Sequence, residues 1–406
     1  MTYRESIDWL FSTQLFGIKL GLDGPRRLLK KFLAHPPHGT RVIHVAGTNG
    51  KGSVCAMIDS VARAAGLRCG LFTSPHLVDF RERIRVSGAE ISEQETADGL
   101  AELRTLCESL DPHPTFFEIT LALAMRHFRE RECELLVLET GMGGRLDATT
   151  AVPADVCVIT PIAFDHQKWL GDSIGKIAFE KAGIFVEGKP ALSSAQVPEA
   201  RRVLLEQANE VRSPIEFVEA PLVGYPLALP GAHQADNAAL ALEALHAAGI
   251  PLAYDVVHHG LSSISWPGRF ELIREGASVM ILDGAHNPAA AAALAATWRQ
   301  QFREQSCTLV FSAAAGKDLH GILDQLAPLA ARIHLCPISS PRSLRAEEFA
   351  AAMPADSPPH TCFPSAQAAL DAALKHPQPI LVAGSLFLVG EVRGLLQGAD
   401  HLPTAQ

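Results

Sequence analysis

The chain of 406 residues lacks the features that mark membrane, secreted or nucleic-acid-binding proteins. It has no uninterrupted apolar run of about 18 residues, so no membrane span is expected. Its N-terminus, MTYRESIDWLF, mixes charges with apolar residues and has no signal-peptide core. Its 35 basic and 44 acidic side chains give a net charge of −9, which disfavours broad binding to nucleic acid. We therefore expect a cytoplasmic monomer that binds small molecules and neither nucleic acid nor a membrane.

Cysteine spacing also excludes several kinds of site. None of the eight cysteines forms C-x-x-C, and most lie in apolar runs. They are typical of reduced core residues and not of a disulfide framework or a zinc cluster. The chain also shows no Ser-His-Asp or Cys-His signature, so no protein nucleophile is indicated.

What the sequence does contain is the alternation of a folded α/β protein. Hydrophobic residues make up 48% and charged residues 19%, and the length suits two or three domains. Short apolar runs alternate with helical patterns, which predicts mostly parallel sheets. RVIHVAG, CELLVLETG and ADVCVITPI are predicted strands, and four more follow SWPGRFELIREG. We interpret that stretch as a linker near 266–276 between domains at 1–268 and 269–406.

The stretch HVAGTNGKGSV at 44–54 departs from the usual phosphate-loop pattern, G-x-x-x-x-G-K-[ST]. Only two residues separate Gly47 from Gly50, and Gly52 follows Lys51, so Ser53 comes one place late. An apolar strand leads in and an amphipathic helix leads out, a context in which backbone N–H groups and the helix dipole bind phosphate. We predict a nucleotide site with Lys51 at the β/γ-phosphates. A plain glycine turn is the alternative.

Two further polar positions follow predicted strands. Glu139 ends the second strand, where a carboxylate could hold Mg²⁺ or be merely structural. His166 follows the third strand beside Asp165, and a lone histidine is usually structural. The glycines after Glu139 do not complete G-x-G-x-x-G, because residue 146 is leucine. The carboxyl ends of parallel strands share one edge, so the loop, Glu139 and His166 together favour a ligand site.

Other polar residues give weaker signals. Lys181 beside Glu180 reads, from spacing alone, as a surface ion pair. Asn237 could read a base edge, although helix capping is the commoner role. Arg269 near the linker and the pair Asp283 and His286 at a later strand end would form a second half-site. Two half-sites imply a cleft between the domains.

Taken in order, the motifs resemble the folylpolyglutamate synthase and dihydrofolate synthase family of Mur-type ligases. The shared motifs cover nearly the whole chain: AGTNGKGS (46–53), FTSPHL (72–77), ETGMGGRLDAT (139–149), DHQKWLG (165–171), EKAGIF (180–185), HQADNAALA (233–241), PGRF (267–270), LDGAHNP (282–288) and GSLFLVGEV (384–392). The resemblance implies an N-terminal P-loop-type nucleotide-binding domain with a parallel-rich sheet, and a smaller C-terminal Rossmann-like α/β domain.

The resemblance also implies roles that spacing does not supply. ATP would be held by Thr48, Asn49, Gly50, Lys51, Asn237, Arg269 and Asp283. Two Mg²⁺ ions are implied, with Ser74, Glu139 and His166 as ligands and a carbamylated Lys181 supporting the second, which reverses the surface reading of Lys181. The pteroate side would be bound by Gly21, Leu22, Asp23, Gly24, Thr115, Phe116, Phe117, Glu118, Leu146, Asp147 and Ala148. Lys51, Lys181 and His286 are the expected catalytic residues, with His286 near the reacting carboxylate or phosphate.

Two motifs depart from the family pattern. Gly24 and Pro25 stand where an arginine usually continues the early motif, and Lys168 replaces a more usual acidic or polar residue. The first departure affects the pterin contact. The second departure means that the Lys168 side chain lies either beside the metal site or in solvent.

The reaction implied by the resemblance is ATP-dependent addition of L-glutamate to dihydropteroate, to folates, or to both. The substrate carboxylate would attack the γ-phosphate, and glutamate would then displace phosphate from the acyl phosphate. The alternatives are a Mur-type ligase for another carboxylate, a nucleotide-driven switch or transport NTPase, and a non-catalytic folate- or nucleotide-binding protein.

Overall fold

The structure is a computed structural model that describes residues 1–17, 21–276, 278–340 and 342–398. It divides into two compact units. The first contains residues 1–74, 81–228 and 235–264, and the second contains residues 75–80, 229–234 and 265–406. No helix among the described residues is long and apolar enough to cross a membrane.

An eight-stranded sheet forms the centre of the first unit. Its strands, in chain order, are β1 (Arg41–Ala46), β2 (Cys69–Phe72), β3 (Ile84–Val86), β4 (Ala89–Glu90), β5 (Leu135–Glu139), β6 (Val156–Ile159), β7 (Ala191–Ser194) and β8 (Ile215–Val218). Their spatial order is β4-β3-β2-β5-β1-β6-β7-β8, with β3 antiparallel to both β2 and β4 and all other pairs parallel. Every residue of β5 is buried, which explains the apolar run at 135–138 that precedes Glu139.

Ten helices belong wholly or mainly to the described part of this unit. They are α1 (Tyr3–Ser12), α2 (Asp23–Lys31), α3 (Lys51–Ala64), α4 (Glu93–Cys107), α5 (Phe116–Glu130), α6 (Gln167–Leu170), α7 (Ile174–Ala182), α8 (Pro198–Val211), α9 (His233–Ala247) and α10 (Tyr254–Ser262). The helix that follows the glycine loop, α3, is almost entirely buried. It packs on α10 so closely that a Cβ at Gly260 would meet the backbone of Val61 at 2.7 Å.

A six-stranded sheet forms the centre of the second unit. Its strands are β9 (Glu271–Glu275), β10 (Ser278–Leu282), β11 (Cys307–Phe311), β12 (Ala330–Leu335), β13 (His360–Cys362) and β14 (Ile380–Ala383), in the order β13-β12-β11-β14-β10-β9. Only the β9–β10 pair is antiparallel. The helices are α11 (Pro288–Phe302), α12 (Leu319–Leu326), α13 (Ala346–Ala352), α14 (Ala366–Ala373) and α15 (Leu386–Gln397).

Alternation along the central strand explains why helices cover both faces of this sheet. Leu309 and Phe311 join a core cluster with Trp298 of α11. Val310, between them, joins a second cluster with Leu388 of α15. Successive side chains of a strand point to opposite faces, so the sheet is buried on both sides.

The predicted α/β class with two parallel-rich sheets is confirmed. Seven of the eight cysteines are buried as expected, whereas Cys362 is exposed on the edge strand β13. Two local readings are wrong. Residues 271–275 of the predicted linker form β9, and the run QPILVAGSLFLVG is a strand only to Ala383, after which α15 begins. The first error arises because β9 is a strand only through its pairing with β10, which residue spacing does not reveal.

Candidate active site

Four neighbouring parallel strands of the first unit bring the predicted polar residues to one edge. β2, β5, β1 and β6 are adjacent, and their carboxyl ends lead to Ser74, Glu139, the glycine loop and Asp165 respectively. The chain leaves β1 toward β2 on one side and later leaves β5 toward β6 on the other. Ligands of open α/β sheets bind where the winding direction reverses in this way.

The turn after β1 needs glycine at two positions. Gly50 has φ 88° and stands directly before α3. Gly47 has φ 147°, and a Cβ there would lie 1.8 Å from Thr160 Oγ1. The N-cap residue of α3 is Gly50, which has no side chain to cap the helix. The first-turn N–H groups of that helix are therefore suited to an anionic ligand.

Residues following β6 hold the loop in place. The N–H groups of Thr48 and Asn49 both donate to the Pro161 carbonyl, at 3.0 and 3.2 Å. Thr48 Oγ1 donates to the Ala163 carbonyl and accepts from its N–H, each at 3.1 Å. The N–H groups of Thr48 and Asn49 are thus engaged inside the protein, and the start of α3 is better placed to receive phosphate.

Two lysines converge on one loop carbonyl. Lys181 Nζ donates to Gly47 O at 2.7 Å and Lys51 Nζ to the same oxygen at 3.2 Å. Lys181 is only 4% exposed, so the surface ion pair read from spacing is wrong. Glu180 instead pairs with Arg145, which spacing along α7 does not reveal. Burial and, to a smaller extent, the Lys51 charge lower the pKa of Lys181 to about 7, against the opposing effects of Asp165 and Asp147.

Two of the three predicted metal ligands lie together. Glu139 is 5% exposed, and its Oε2 accepts the N–H of Ser74 at 3.1 Å. His166 has φ 49°, and its N–H donates to Asp165 Oδ1 at 2.7 Å, while its side chain stays 37% exposed. Lys168 is exposed beside the Trp169 ring.

The donor types fit a Mg²⁺ site. Among the described residues, no cluster of three or more His, Cys, Asp or Glu side chains is placed to hold a metal. The predicted set contributes only Glu139 and His166 of those types. Mg²⁺ commonly takes one or two carboxylates and completes its shell with water and phosphate oxygens.

The predicted pteroate motif TFFE is also the start of a helix. Thr115 caps α5 in a capping box: its N–H donates to Glu118 Oε2 at 2.6 Å, and its hydroxyl accepts the Glu118 N–H. Phe116 is buried against Phe11, and Phe117 packs on Phe72. These contacts fix the local backbone, so part of the motif is structural.

The glycine at the departing position of the early motif faces that same carboxylate. Glu118 Oε1 lies 2.7 Å from where a Cβ at Gly24 would stand. Leu22 precedes α2 and Asp23 is its first residue, with an exposed side chain. Gly21 is described, whereas Leu20 of the quoted motif lies outside the described residues.

The LDA motif after β5 centres on a buried carboxylate. Asp147 Oδ1 accepts both the N–H and the hydroxyl of Thr149, at 3.0 and 2.5 Å, and Oδ2 accepts the N–H of Met142 at 2.9 Å. Burial raises the pKa of Asp147, and these donors oppose that rise. Leu146 is half-buried and Ala148 is buried.

Asn237 and the second-unit residues lie in defined places. Asn237 of α9 is 4% exposed, with Oδ1 2.8 Å from the position of a Cβ at Gly50. In the second unit, Asp283 accepts the N–H groups of Phe270 and Ala285, each at 2.8 Å. Burial raises the pKa of Asp283, whereas nearby Arg269 lowers it. His286 follows β10, and its Nδ1 lies 2.7 Å from Gly284 O.

Comparison with known proteins decides the family. Residues 45–209 match the Mur ligase middle domain, and residues 268–386 match the Mur ligase, glutamate ligase domain. A dihydrofolate synthase/folylpolyglutamate synthase of Bacillus subtilis is 34% identical, over 97% of this chain and 99% of that protein. The chain belongs to the dihydrofolate synthase/folylpolyglutamate synthase family.

Solved structures of the family share the fold. E. coli FolC in complex with DHPP and ADP has a TM-score of 0.87, with 31% identity over 98% of both chains. A bifunctional folylpolyglutamate synthase/dihydrofolate synthase of Yersinia pestis, complexed with AMPPNP and Mn ion, has the same TM-score, identity and coverage.

The sequence analysis gave no role to three buried residues. Arg83 is fully buried, with its guanidinium 5.3 Å from the Phe116 ring. Burial lowers the pKa of Arg83 to about 9, and Glu82 and Glu139 oppose that shift. His44 and Thr149 hydrogen bond to each other at 2.8 Å. His44 was part of the quoted strand, and only its polarity within an apolar run could have drawn attention to it.

Proposed function

We propose that this protein is an ATP-dependent ligase that adds L-glutamate to dihydropteroate, to tetrahydrofolate, or to both, in folate metabolism. Family membership supports the proposal. The observation in this chain that carries it is the junction of β1 and α3, where Lys51 begins a helix whose N-cap residue is Gly50. That arrangement suits a polyphosphate at the carboxyl edge of the sheet.

In the proposed reaction, the carboxylate of the folate substrate attacks the γ-phosphorus of ATP, and ADP leaves. The amine of glutamate then attacks the acyl phosphate, loses a proton and displaces inorganic phosphate, leaving an amide. The protein supplies no nucleophile, so the rate comes from positioning and charge neutralisation. Lys51 lies next to the loop and would neutralise the phosphates during transfer.

Mg²⁺ would neutralise phosphate charge, and Ser74, Glu139 and His166 would hold it. The buried Glu139 carboxylate, already paired with the Ser74 N–H, is the firmest part of that set. Ser53, one position late for the usual hydroxyl ligand, is buried within α3. The Ser74→Ala variant should need more Mg²⁺ for half-maximal activity, whereas Ser53→Ala should not. A higher Mg²⁺ requirement in Ser53→Ala than in Ser74→Ala would indicate that Ser53 is the hydroxyl ligand of the metal, as in the standard phosphate loop.

Carbamylation of Lys181 fits its surroundings. A lysine reacts with carbon dioxide only as the neutral amine, losing a proton as the N–C bond forms. Burial makes that neutral form accessible near pH 7. Protein kept in ¹³C-bicarbonate should show a carbamate carbon signal that is absent in Lys181→Met. The signal should remain in the matched variant Lys176→Met, since Lys176 is exposed on the same helix.

One assay tests the function directly. Purified protein receives ATP, Mg²⁺ and L-glutamate, with dihydropteroate or tetrahydrofolate supplied separately, and ADP release is measured. We expect ADP release that requires both glutamate and a folate substrate. Release without glutamate would instead indicate a nucleotide-driven NTPase. If neither dihydropteroate nor tetrahydrofolate supports ADP release, the protein would be a ligase for another carboxylate.

A further inference from the structure

A buried hydrogen-bonded chain runs from the middle of β1 to the predicted pteroate motif. His44 of β1 is 1% exposed, and its Nε2 lies 2.8 Å from Thr149 Oγ1. Thr149 Oγ1 in turn lies 2.5 Å from Asp147 Oδ1. Thr149 is itself fully buried, so water does not substitute for either partner. The chain ends on a carboxylate that the family resemblance places against the folate substrate.

The donors around Asp147 set the direction of the protons in this chain. Its carboxylate accepts backbone N–H groups from Met142 and Thr149, in addition to the Thr149 hydroxyl. Burial raises the pKa of Asp147, and these several N–H donors favour the ionised form against that rise. An ionised Asp147 can only accept, so the Thr149 hydroxyl donates its single hydrogen to Asp147 Oδ1. Thr149 Oγ1 can then act toward His44 only as an acceptor.

With Asp147 ionised, His44 Nε2 must carry the proton that it donates to Thr149 Oγ1. Burial lowers the pKa of His44 to about 3, so the ring is neutral and has only one N–H to place. The reverse arrangement, with the Thr149 hydroxyl donating to His44, would require a proton on Asp147 Oδ1. That arrangement would give the substrate site a neutral acid in place of an anion.

We propose that His44 is a positioning residue for folate binding, which holds the Thr149 hydroxyl toward Asp147 and so keeps that carboxylate a fixed acceptor for N–H groups of the folate substrate. This inference rests on the proposed function and on the expected contact between Asp147 and the pteroate. His44 acts through Thr149 and has no part in phosphoryl transfer. Its effect therefore falls on affinity for the folate substrate and not on use of ATP.

The first experiment observes the proton itself. In protein labelled with ¹⁵N-histidine, the His44 resonances are those absent from His44→Gln. We expect Nε2 to show a directly bonded proton, Nδ1 to show none, and both to stay unchanged from pH 5 to pH 8. A protonated Nδ1 with a bare Nε2 would overturn the proposal, because Thr149 would then donate to His44.

The second experiment measures the functional effect. His44→Met keeps an apolar side chain of similar length but removes the donor, so KM for dihydropteroate should rise about five-fold, the worth of one hydrogen bond. KM for ATP and kcat should stay near the wild-type values. His44→Gln returns an N–H donor near the position of Nε2 and should restore most of the affinity.

Two further variants separate positioning from packing. Thr149→Val should raise KM for dihydropteroate. Adding His44→Met to Thr149→Val should raise this KM little more, because the hydrogen bonds from His44 through Thr149 to Asp147 are already lost. His334→Met removes another buried histidine, on β12 of the second unit, and should leave this KM unchanged. Additive effects of His44→Met and Thr149→Val, or an unchanged KM in His44→Met, would overturn the proposal.

Failure of the inference is distinguishable from failure of the proposed function. Wild-type protein that does not couple ADP release to glutamate and a folate compound contradicts the function itself. Wild-type protein that does so, together with an unaltered His44→Met variant, contradicts only the role of His44. If His44→Met does not fold, the ¹⁵N spectrum and His44→Gln still decide the question.

Discussion

Each unit contains a junction in which a parallel strand leads through a short loop into a long helix, and the two junctions are built differently. In the first, β1 passes through Gly47 and Gly50 into α3, and Gly50, as the N-cap residue, has no side chain to cap the helix. In the second, β10 passes through Asp283 into α11, where the Asn287 side chain accepts the Ala290 N–H at 2.9 Å. Pro288 at the first position of α11 also removes one N–H group.

The difference teaches where an anion can bind. The helix start of α3 carries Lys51, whose Nζ donates to the Gly47 carbonyl at 3.2 Å. The helix start at Pro288 is already served by an amide side chain, and an acidic residue precedes it. The same strand–loop–helix plan therefore gives a helix start suited to phosphate in one unit and a helix start capped by its own side chain in the other. Four predictions test this contrast, from the largest expected effect to the smallest.

Removing the loop lysine should have the largest effect. Lys51→Met deletes a charge that would stabilise the phosphates during transfer, and kcat/KM for ATP should fall by roughly 10²- to 10³-fold. Lys176→Met, an exposed lysine of α7, serves as the matched control and should stay near wild type. Steady-state ADP release at saturating glutamate gives both values. Equal activity in the two variants would remove Lys51 from the site.

The second lysine should affect the pH dependence of stability. The pKa of Lys181 falls from its ordinary value of 10.5 to about 7, so between those values the unfolded chain binds a proton that the folded chain does not. The stability of wild type relative to Lys181→Met should therefore rise with pH in that window, by at most about 1.4 kcal/mol per pH unit.

Urea unfolding of both proteins at several pH values, in buffer free of carbon dioxide, gives this difference in free energy. Below about pH 7 the difference should level off, since both states then hold the proton. A difference that stays constant from pH 7 to pH 10 would show that Lys181 has an ordinary pKa in the folded protein.

The glycine before α3 should come next. Gly50→Ala places a side chain at φ 88°, with its Cβ 2.8 Å from Asn237 Oδ1. We expect a loss of about 1–2 kcal/mol in unfolding free energy from the left-handed backbone alone. ATP affinity should also weaken, because the turn must shift. Isothermal titration with an ATP analogue and chemical unfolding separate these effects, and an unshifted affinity would show that the turn does not contact the nucleotide.

The cap of the second junction should give the smallest effect. Asn287→Ala removes the side-chain acceptor of α11, at a cost of about 1 kcal/mol in unfolding free energy. Ser365→Ala removes the cap of α14 in the same unit and is the matched control. Both variants should keep ATP affinity closer to wild type than Gly50→Ala does. An affinity loss in Asn287→Ala alone would show that α11 also takes part in binding.

Local sequence patterns predicted the part of the fold that depends on continuous burial. The strands β1, β5 and β6 are apolar runs bounded by turn residues, and each was found near its predicted place. The short β2 was not predicted, because four residues carry too little pattern. β9 was read as linker because its place in the sheet depends on pairing with β10.

Prediction of the candidate site was uneven for the same physical reason. The local pattern of Gly47, Gly50 and Lys51 predicts phosphate binding by itself. Lys181 does not, because its burial is set by a contact with Gly47, far away in the sequence. His44 likewise becomes meaningful only through Thr149. Contacts between distant segments are invisible to spacing, and only the family resemblance predicted a role for Lys181.

The assignment of residues 75–80 to the second unit limits how the chain can be dissected. Leu77 and Val78 lie in the same core cluster as Leu282 and Val389, and Leu77 packs close to Gly268. A fragment starting at residue 265 would lose two side chains of its own core and leave a hole where they stood. We expect such a fragment to be unstable. To fold, the second unit needs a segment that lies almost two hundred residues earlier in the sequence.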